Sequence, residues 1–366
     1  MELNISNKDD LVHICRVLKL TADQIRRLMI QSSIDKISFD SAYVMSQMTR
    51  GEGGLRSFYD IPTQEILGLA QKMKSRVIEQ DSAVDTVCDA IIRRKTNLQT
   101  REECVGTFLF AGPTGVGKTY FAKVLTDFLY LNKSAIIFVD LSQYKNRGDV
   151  SQLFGAPPGF VGHNDEGGWL TRRVKRIKCG VILFDEMEKA DNEVLDVLLR
   201  IAAEGQFDDS STQETISLSE FVVILTSNLG TKEAMNVSDP LQKKEIVIGE
   251  IKKHLKPELI NRFDDVVVFH TLSPKACCKI ADQLLKENLE QIKKDNIQFG
   301  YTDRLIEAIV KKGFDREMNA RPLARKINEL VMTPIAKLIL RKDIRPSDKI
   351  RLDWENGELN ATRLKA

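Results

Sequence analysis

The middle of the chain carries five short runs of apolar residues, mostly β-branched or aromatic, separated by segments with helical periodicity. Strands that are buried on both faces of a sheet have this continuous apolar pattern, and alternation with helices is typical of parallel sheets. The pattern therefore predicts an α/β fold, a parallel sheet with helices on both faces. The five predicted strands are TFLFAG (107–112), AIIFVD (135–140), GVILFDE (180–186), FVVILTSN (221–228) and VVVFH (266–270).

Helical patterns flank this region on both sides. Near the start, Leu11, Ile14 and Leu18 share one helical face, and the stretch RGEGGLRS (50–57) predicts a linker. After Ser273-Pro274 the pattern is again helical, and KIRLDWENGELN predicts two short strands joined by an Asn-Gly turn. The predicted organisation is a helical N-terminal extension and linker (1–57), a large α/β domain (58–272), a small, mainly helical C-terminal domain (273–357) and a tail (358–366).

Composition narrows the function classes. The 54 basic and 52 acidic residues nearly cancel, so no global field draws the protein to nucleic acid or to an anionic membrane. The apolar runs are too short to span a bilayer, and MELNISNKDDLV has no secretory-signal pattern. The six cysteines fit neither a zinc site nor a disulfide framework, which favours reduced thiols. We therefore expect a cytoplasmic protein without a membrane partner.

The segment GPTGVGKT matches the phosphate-binding pattern G-x-x-x-x-G-K-[ST]. It lies between a predicted strand and a predicted helix, which favours a phosphate site over an ordinary glycine-rich turn. Lys118 would contact the β- and γ-phosphates of a nucleotide, and Thr119 would offer its hydroxyl to Mg²⁺. The predicted phosphate-binding residues are Gly112, Pro113, Thr114, Gly115, Val116, Gly117, Lys118 and Thr119.

Polar residues follow two further predicted strands. Asp185 and Glu186 end the run GVILFDE, at the edge where open α/β sheets bind ligands. Asp185 would hold Mg²⁺ and Glu186 would polarise the attacking water, although an acidic strand end can also simply face solvent. Asn228 ends the next strand, where it could position that water or form a turn. Together with the phosphate-binding segment, these residues predict an ATPase that uses ATP and Mg²⁺.

The segment GAPPGFVG (155–162) places a large aromatic residue in a loop rich in proline and glycine. An exposed aromatic on such a loop usually contacts a partner, although Phe160 could instead pack on its own domain. The basic run between Arg172 and Lys178 is better explained as a solvated helix face than as a polyanion site.

An ordered set of motifs resembles the AAA+ Clp-type ATPases, most closely the second ATPase module of the ClpA/ClpB unfoldases and disaggregases. The resemblance runs from about residue 61 to about residue 357. It implies ATP hydrolysis with Mg²⁺, a homohexameric ring and a polypeptide client that is threaded through the ring. The motifs, in order, are RVIEQDSAV, GPTGVGKT, GAPPGFVG, EGGWL, VILFDEMEKA, ILTSNLG, LKPELINRFDDVVVF and NARPLARKI.

The resemblance also implies roles for individual residues. Two would form the adenine pocket, one would sense the γ-phosphate, and one would be an arginine finger that reaches the neighbouring subunit's nucleotide. One would be a second sensor from the small domain, and two would form the pore loop that grips the client. By this resemblance the adenine-pocket residues are Val77 and Ile78, the γ-phosphate sensor is Asn228 and the arginine finger is Arg262. The second sensor is Arg321, and the pore-loop residues are Phe160 and Val161.

Three departures from the family pattern stand out. Members that feed a barrel peptidase carry an Ile-Gly-Leu or Ile-Gly-Phe loop. This chain has only Ile-Gly-Glu (248–250), within a predicted helix, so we expect no peptidase partner. The family's usual glycine before the sensor Ala-Arg is Asn319. Residues 1–57 do not match the family's common N-terminal domain.

The unmatched N-terminal segment leaves a second function open. LVHICRVLKLTADQIRRLMIQ (11–31) could form a helix-turn-helix in which Lys19, Arg26 and Arg27 contact phosphates. That would make the protein a nucleic-acid-directed ATPase, but a small partner-docking domain predicts the same pattern, and nucleic acid is the less favoured partner. A nucleotide-switched scaffold is a third possibility, which the Asp185-Glu186 pair disfavours.

Overall fold

The computed structural model describes residues 56–96, 103–146, 148–160, 163–231, 233–234, 237, 239–255, 257–292, 297–315 and 318–364. The N-terminal segment with its predicted helix-turn-helix lies outside these ranges, as does Val161. Within the described part of the chain, no helix combines the length and the apolar character needed to cross a membrane.

A five-stranded parallel sheet forms the centre of the large domain, with the strand order β2-β3-β6-β1-β7. All five predicted strands are confirmed, each within two residues of its expected bounds. The strands are β1 (Gly106–Ala111), β2 (Ile136–Asp140), β3 (Gly180–Asp185), β6 (Phe221–Ser227) and β7 (Asp265–Val268).

Helices cover both faces of the sheet at the strands β1, β3 and β6, which explains their continuous apolar runs. In β1, Phe108 and Phe110 pack into the core on one face, whereas Leu109 and Ala111 pack into the core on the other. Successive side chains alternate in this way because a strand has a period of two residues. The helices of this domain are α1 (Thr63–Leu67), α2 (Leu69–Arg76), α3 (Asp81–Lys95), α4 (Lys118–Tyr130), α5 (Val150–Phe154), α6 (Trp169–Ile177), α7 (Asn192–Glu204), α8 (Pro240–His254) and α9 (Pro257–Ile260).

Two short strands that the sequence does not predict form a hairpin beside the sheet. β4 (Gln206–Asp208) pairs with β5 (Thr215–Ser217) in the antiparallel sense. Each has only three residues, too few for a clear alternation of polar and apolar positions. The hairpin leads directly into β6.

The small domain has its own apolar core, for which the described residues supply four helices and a three-stranded sheet of order β10-β9-β8. A π-helical segment, Asn328–Met332, joins two of the helices. The helices are α10 (Pro274–Ile292), α11 (Asp303–Gly313), α12 (Leu323–Ile327) and α13 (Thr333–Leu340). The strands are β8 (Gln298–Tyr301), β9 (Lys349–Glu355) and β10 (Glu358–Leu364).

The predicted hairpin is confirmed, but the predicted tail needs correction. β9 and β10 pair over seven positions around Asn356 and Gly357, which have φ of 52° and 86°. Both angles lie in the left-handed region that a tight hairpin turn requires. Because residues 358–364 complete this hairpin, they belong to the small domain and are not a tail.

Candidate functional site

The phosphate-binding segment connects β1 to α4 with backbone angles that favour glycine. Gly115 and Gly117 have φ of 79° and 105°. A β-carbon on Gly115 would lie 1.9 Å from the carbonyl oxygen of Met318, in the small domain. Gly115 is therefore required both for the turn and for close contact between the two domains.

Lys118 is the first residue of α4, and it is only 8% exposed. Its Nζ donates to the Pro113 carbonyl at 2.9 Å and to Asn228 Oδ1 at 2.9 Å. Burial lowers the pKa of Lys118 to about 8, although the charge of Asp185 partly opposes this effect. The amine lies at the amino end of a helix, where the first backbone N–H groups have no partner within the helix. This arrangement suits an anion that would compensate the buried cation.

Thr226 orients the acidic pair at the end of β3. Its hydroxyl donates to Asp185 Oδ1 and accepts a hydrogen bond from the Glu186 backbone N–H at 3.1 Å. Glu186 itself has φ of 58°, an uncommon angle for a residue other than glycine. The sequence motif predicted the pair but gave Thr226 no role, because a threonine in a β-strand ordinarily indicates only strand propensity.

Two further contacts hold the predicted water-activating and sensing residues. The Glu186 carboxylate accepts a hydrogen bond from Lys189 Nζ at 2.5 Å, and this bond raises the pKa of Lys189. The Asn228 backbone N–H donates to Glu188 Oε1 at 3.2 Å. The Asn228 side-chain oxygen accepts a hydrogen bond from Lys118, so the predicted γ-phosphate sensor is linked to the predicted phosphate-binding lysine. Lys189 had no sequence-based role, because a lysine three residues from a glutamate is common in turns and helices.

Lys118, Asp185, Glu186 and Asn228 line one cleft of about 530 Å³ between the large and small domains. Its volume falls in the usual range for small-molecule sites. Ile280 and Leu284 from α10 contribute apolar lining on the small-domain side. The predicted site residues that line the cleft are Val77, Ile78, Pro113, Thr114, Gly115, Val116, Gly117, Lys118, Thr119, Asp185, Glu186, Asn228 and Arg321. Gly112 lies below it, where its N–H donates to the Ser227 carbonyl at 3.2 Å.

The residues that line the cleft fit a nucleoside triphosphate with Mg²⁺. An apolar end at Val77 and Ile78 suits a base, and the glycine-rich segment and Lys118 suit phosphates. The described residues contain no cluster of three or more His, Cys, Asp or Glu side chains that could hold a metal. Magnesium in phosphate sites does not need one, since it takes one or two protein oxygens and completes its shell with water and phosphate. The Thr119 hydroxyl and the Asp185 carboxylate can supply those protein oxygens.

Arg262 lies away from this cleft. Asp264, two residues later, accepts hydrogen bonds from the Thr107 N–H at 2.7 Å and from the Thr107 hydroxyl at 3.2 Å. Thr107 lies near the amino end of β1, whereas the phosphate-binding segment follows the carboxyl end. At about 3.3 Å per residue, roughly 17 Å of strand separates Thr107 from Gly112. The exposed Arg262 therefore lies at the opposite edge of the sheet from the cleft.

Phe160 is 69% exposed, so the alternative in which it packs on its own domain does not hold. The base of its loop is well fixed: Ser211 Oγ accepts from the Ala156 N–H and donates to the Ala156 carbonyl, both at 2.9 Å. Fully buried Asp209 accepts from the Gly168 N–H at 2.7 Å and from the Thr171 hydroxyl. Burial alone would raise the pKa of Asp209, but these hydrogen bonds outweigh it and lower the pKa.

Asp209 and Ser211 hold the base of this loop, a role that the sequence did not reveal. They lie some fifty residues from the loop in sequence, on a hairpin that was not predicted. The basic run, by contrast, forms the exposed face of α6 as expected, with Lys175 paired to Glu214 and Arg173 over the Trp169 ring.

The fold and the cleft together define a P-loop nucleoside triphosphatase. The family profile described as an AAA domain of the Cdc48 subfamily matches residues 103–266. The profile of the C-terminal, D2-small domain of ClpB protein matches residues 272–352. The chain belongs to the Clp-type AAA+ ATPases, and its two matched parts correspond to their second ATPase module.

Curated relatives agree with this assignment. The chaperone protein ClpB of Helicobacter hepaticus is 37% identical over 296 residues, covering 81% of this chain and 34% of the relative. ClpB of Aquifex aeolicus is 37% identical over 305 residues, covering 81% and 30%. The negative regulator of genetic competence ClpC/MecB of Bacillus subtilis is 36% identical over 307 residues, covering 81% and 38%. The chain thus spans about a third of the length of these relatives.

Proposed function

We propose that this protein is an ATP-driven protein-remodelling motor of the cytoplasm, which hydrolyses ATP to ADP and phosphate and moves polypeptide through a ring of identical subunits. The observation that carries the proposal is the convergence of Lys118, Asp185, Glu186 and Asn228 in one interdomain cleft, together with an exposed aromatic at the tip of a fixed loop. The names of the relatives, which include chaperones, support the same class of activity.

Within the cleft the residues divide the chemistry among them. Lys118 binds the β- and γ-phosphates, while Thr119 and Asp185 hold Mg²⁺, which when bound neutralises charge on the phosphate oxygens. Glu186 orients the attacking water and accepts its proton. Its carboxylate contacts Lys189 through Oε2 in the structure, so the second carboxylate oxygen can accept the proton while this ion pair is kept. Asn228 donates its side-chain N–H to the water or the γ-phosphate.

Arg262 supports a ring of subunits, and we propose a homohexamer. The transferred phosphoryl group needs an additional cation, and an arginine supplied from another subunit contributes about 10³–10⁵ in rate. Arg262 is exposed and lies about 17 Å of strand from its own phosphate-binding segment, beyond the length of an arginine side chain. A neighbouring subunit can accept it. Arg321 lines its own cleft from the small domain and is placed to contact the same nucleotide.

Phe160 is the proposed contact with the polypeptide client. An aromatic ring that is 69% exposed, on a loop whose base is fixed by Asp209 and Ser211, is suited to grip a chain without regard to its sequence. The adjacent Val161 would contribute to the same contact. We propose no barrel-peptidase partner, because the Ile-Gly-Glu segment lies inside α8 (Pro240–His254) and forms no loop.

Two variants test the ATPase. Lys118→Ala removes the phosphate-binding cation, so nucleotide affinity should fall sharply. Glu186→Gln keeps the shape of the cleft but removes the base, so ATP should bind normally and turn over at least about a hundredfold more slowly. The measurements are equilibrium nucleotide affinity and steady-state phosphate release. Unchanged turnover in Glu186→Gln would show that the assigned mechanism is wrong.

A further inference from the structure

A five-residue hinge (269–273) joins β7 to α10 and so connects the large domain to the small one. Side chains from outside the hinge bond its backbone at three positions. The Gln80 amide accepts from the His270 N–H at 3.0 Å and donates to the His270 carbonyl at 2.8 Å. The Glu79 carboxylate accepts from the Ser273 N–H at 2.9 Å. Asn319 Oδ1 accepts from the Leu272 N–H at 3.3 Å.

The Asn319 side chain also contacts the phosphate-binding segment. Its Nδ2 donates to the Thr114 carbonyl at 3.0 Å, and the next backbone N–H, from Ala320, donates to the Gly115 carbonyl at 3.3 Å. Asn319 is only 2% exposed; its hydrogen bond with Leu272 is buried, whereas its hydrogen bond to Thr114 is partly buried. We name the pair of bonds from Asn319 to Thr114 and Leu272 the amide bridge. It connects the phosphate-binding segment to the interdomain hinge through one buried side chain.

The backbone explains why asparagine can take this position. Asn319 has φ of 50°, in the left-handed region where glycine is usual and asparagine is the best tolerated alternative. A glycine would meet the backbone requirement but form neither side-chain bond. The asparagine satisfies the same backbone and adds the amide bridge.

Arg321 follows Asn319 by two residues and lines the cleft. Any movement of the small domain that opens the cleft must move residues 318–321 away from the phosphate-binding segment, which breaks the bond to Thr114. We propose that Asn319 is a positioning residue, whose amide bridge holds the small domain against the phosphate-binding segment and thereby slows nucleotide release. This inference rests on the proposed binding of nucleotide in the cleft.

The chain offers a matched pair of substitutions. Asn319→Gly preserves the left-handed backbone and removes the amide bridge. Asn356→Gly makes the same change at nearly the same φ, 52°, in the exposed β9–β10 turn. Asn319→Asp separates the two hydrogen bonds of the amide bridge, since the carboxylate still accepts from the Leu272 N–H but cannot donate to the Thr114 carbonyl. Asn319→Ala is avoided because its backbone angle disfavours alanine.

The experiment measures two quantities in the full chain. The first is hydrogen exchange at the Leu272 amide without nucleotide. The second is the release rate of a fluorescent ADP, alongside kcat and KM for ATP. Loss of one or two buried hydrogen bonds corresponds to about fivefold to thirtyfold in an equilibrium constant. We expect Asn319→Gly to speed both exchange and release by roughly that factor, with KM raised and kcat changed less than about twofold.

The controls distinguish this inference from the proposed function. Asn356→Gly should match the wild type in both measurements, and Asn319→Asp should speed release while Leu272 stays protected. Unchanged exchange and release in Asn319→Gly would overturn the inference, as would unchanged release in Asn319→Asp if Asn319→Gly does not fold. If the wild type bound no nucleotide, the proposed function would fail, and the role of the amide bridge in nucleotide release would fail with it. If the wild type binds nucleotide and only the variant result is negative, the ATPase proposal stands.

Discussion

The buried lysine of the phosphate-binding segment should make nucleotide affinity depend on pH in a defined window. Burial lowers the pKa of Lys118 to about 8 in the protein without nucleotide. A bound triphosphate would place several negative charges beside the amine and favour its charged form. Binding should therefore take up a proton wherever the free protein holds the lysine neutral.

The size of the proton uptake follows from the pKa of Lys118 in the free protein and in the nucleotide complex. With a pKa of about 8 in the free protein, and a value near the ordinary one in the complex, proton uptake should be about 0.1 at pH 7, about 0.5 at pH 8 and about 0.9 at pH 9. The sign is fixed by linkage: the complex binds more protons than the free protein, so affinity falls as pH rises. The dissociation constant should increase about tenfold between pH 7 and pH 9.

Calorimetric titration with ADP in two buffers of different ionisation enthalpy measures the proton uptake directly. Above pH 8 the nucleotide's own phosphates are already ionised and contribute little. Lys118→Arg is the matched control, because a guanidinium stays charged throughout this range. Nucleotide that still binds to the Lys118→Arg variant should cause no proton uptake. An uptake below about 0.2 at pH 9 in the wild type would refute the claim that burial suppresses the charge of Lys118.

Substitutions at three further positions test other parts of the molecule. Arg262→Ala should leave nucleotide binding intact and abolish hydrolysis, and wild-type specific activity should rise with protein concentration; a fully active monomer would contradict this. Phe160→Ala should change the free energy of unfolding by no more than about 0.5 kcal/mol yet abolish client remodelling, whereas Phe160→Tyr should retain it. A loss of 3–5 kcal/mol, as for a buried phenylalanine, would refute the client role. Asp209→Asn should destabilise the fold by about 1–3 kcal/mol in denaturant titration, because one buried donor loses its acceptor.

The sequence predicted those parts of the fold that depend on local pattern. The strands β1, β3 and β6 were predictable because both of their faces are buried, which makes each of them continuously apolar. The edge strands β2 and β7 are only partly buried, but their runs of β-branched residues still indicated strands. The hairpin of β9 and β10 was predictable because an Asn-Gly pair favours the left-handed angles of its turn. The phosphate-binding segment and the acidic pair were predictable because their spacing in the chain is fixed by the chemistry they perform.

The remaining features depend on contacts between distant residues. Thr226 orients Asp185 and Glu186 from the neighbouring strand, although it lies forty-one and forty residues from them in sequence. Asp209 supports the loop of Phe160 from a hairpin whose strands are too short to show a period. The amide of Asn319 finds both its partners outside its own segment. No local pattern encodes such pairings, because they exist only after the sheet order and the domain arrangement are established.

The parallel sheet itself limits where the catalytic groups can lie. The phosphate-binding segment, Asp185 and Asn228 all follow the carboxyl ends of their strands, so they meet at one edge. Arg262 precedes β7, and because β7 runs parallel to β1 its position is confined to the other edge. No rearrangement of loops within one subunit can join these two sets without dismantling the sheet. If Arg262 serves hydrolysis, the complete site therefore requires a second copy of the chain, and assembly becomes part of the mechanism.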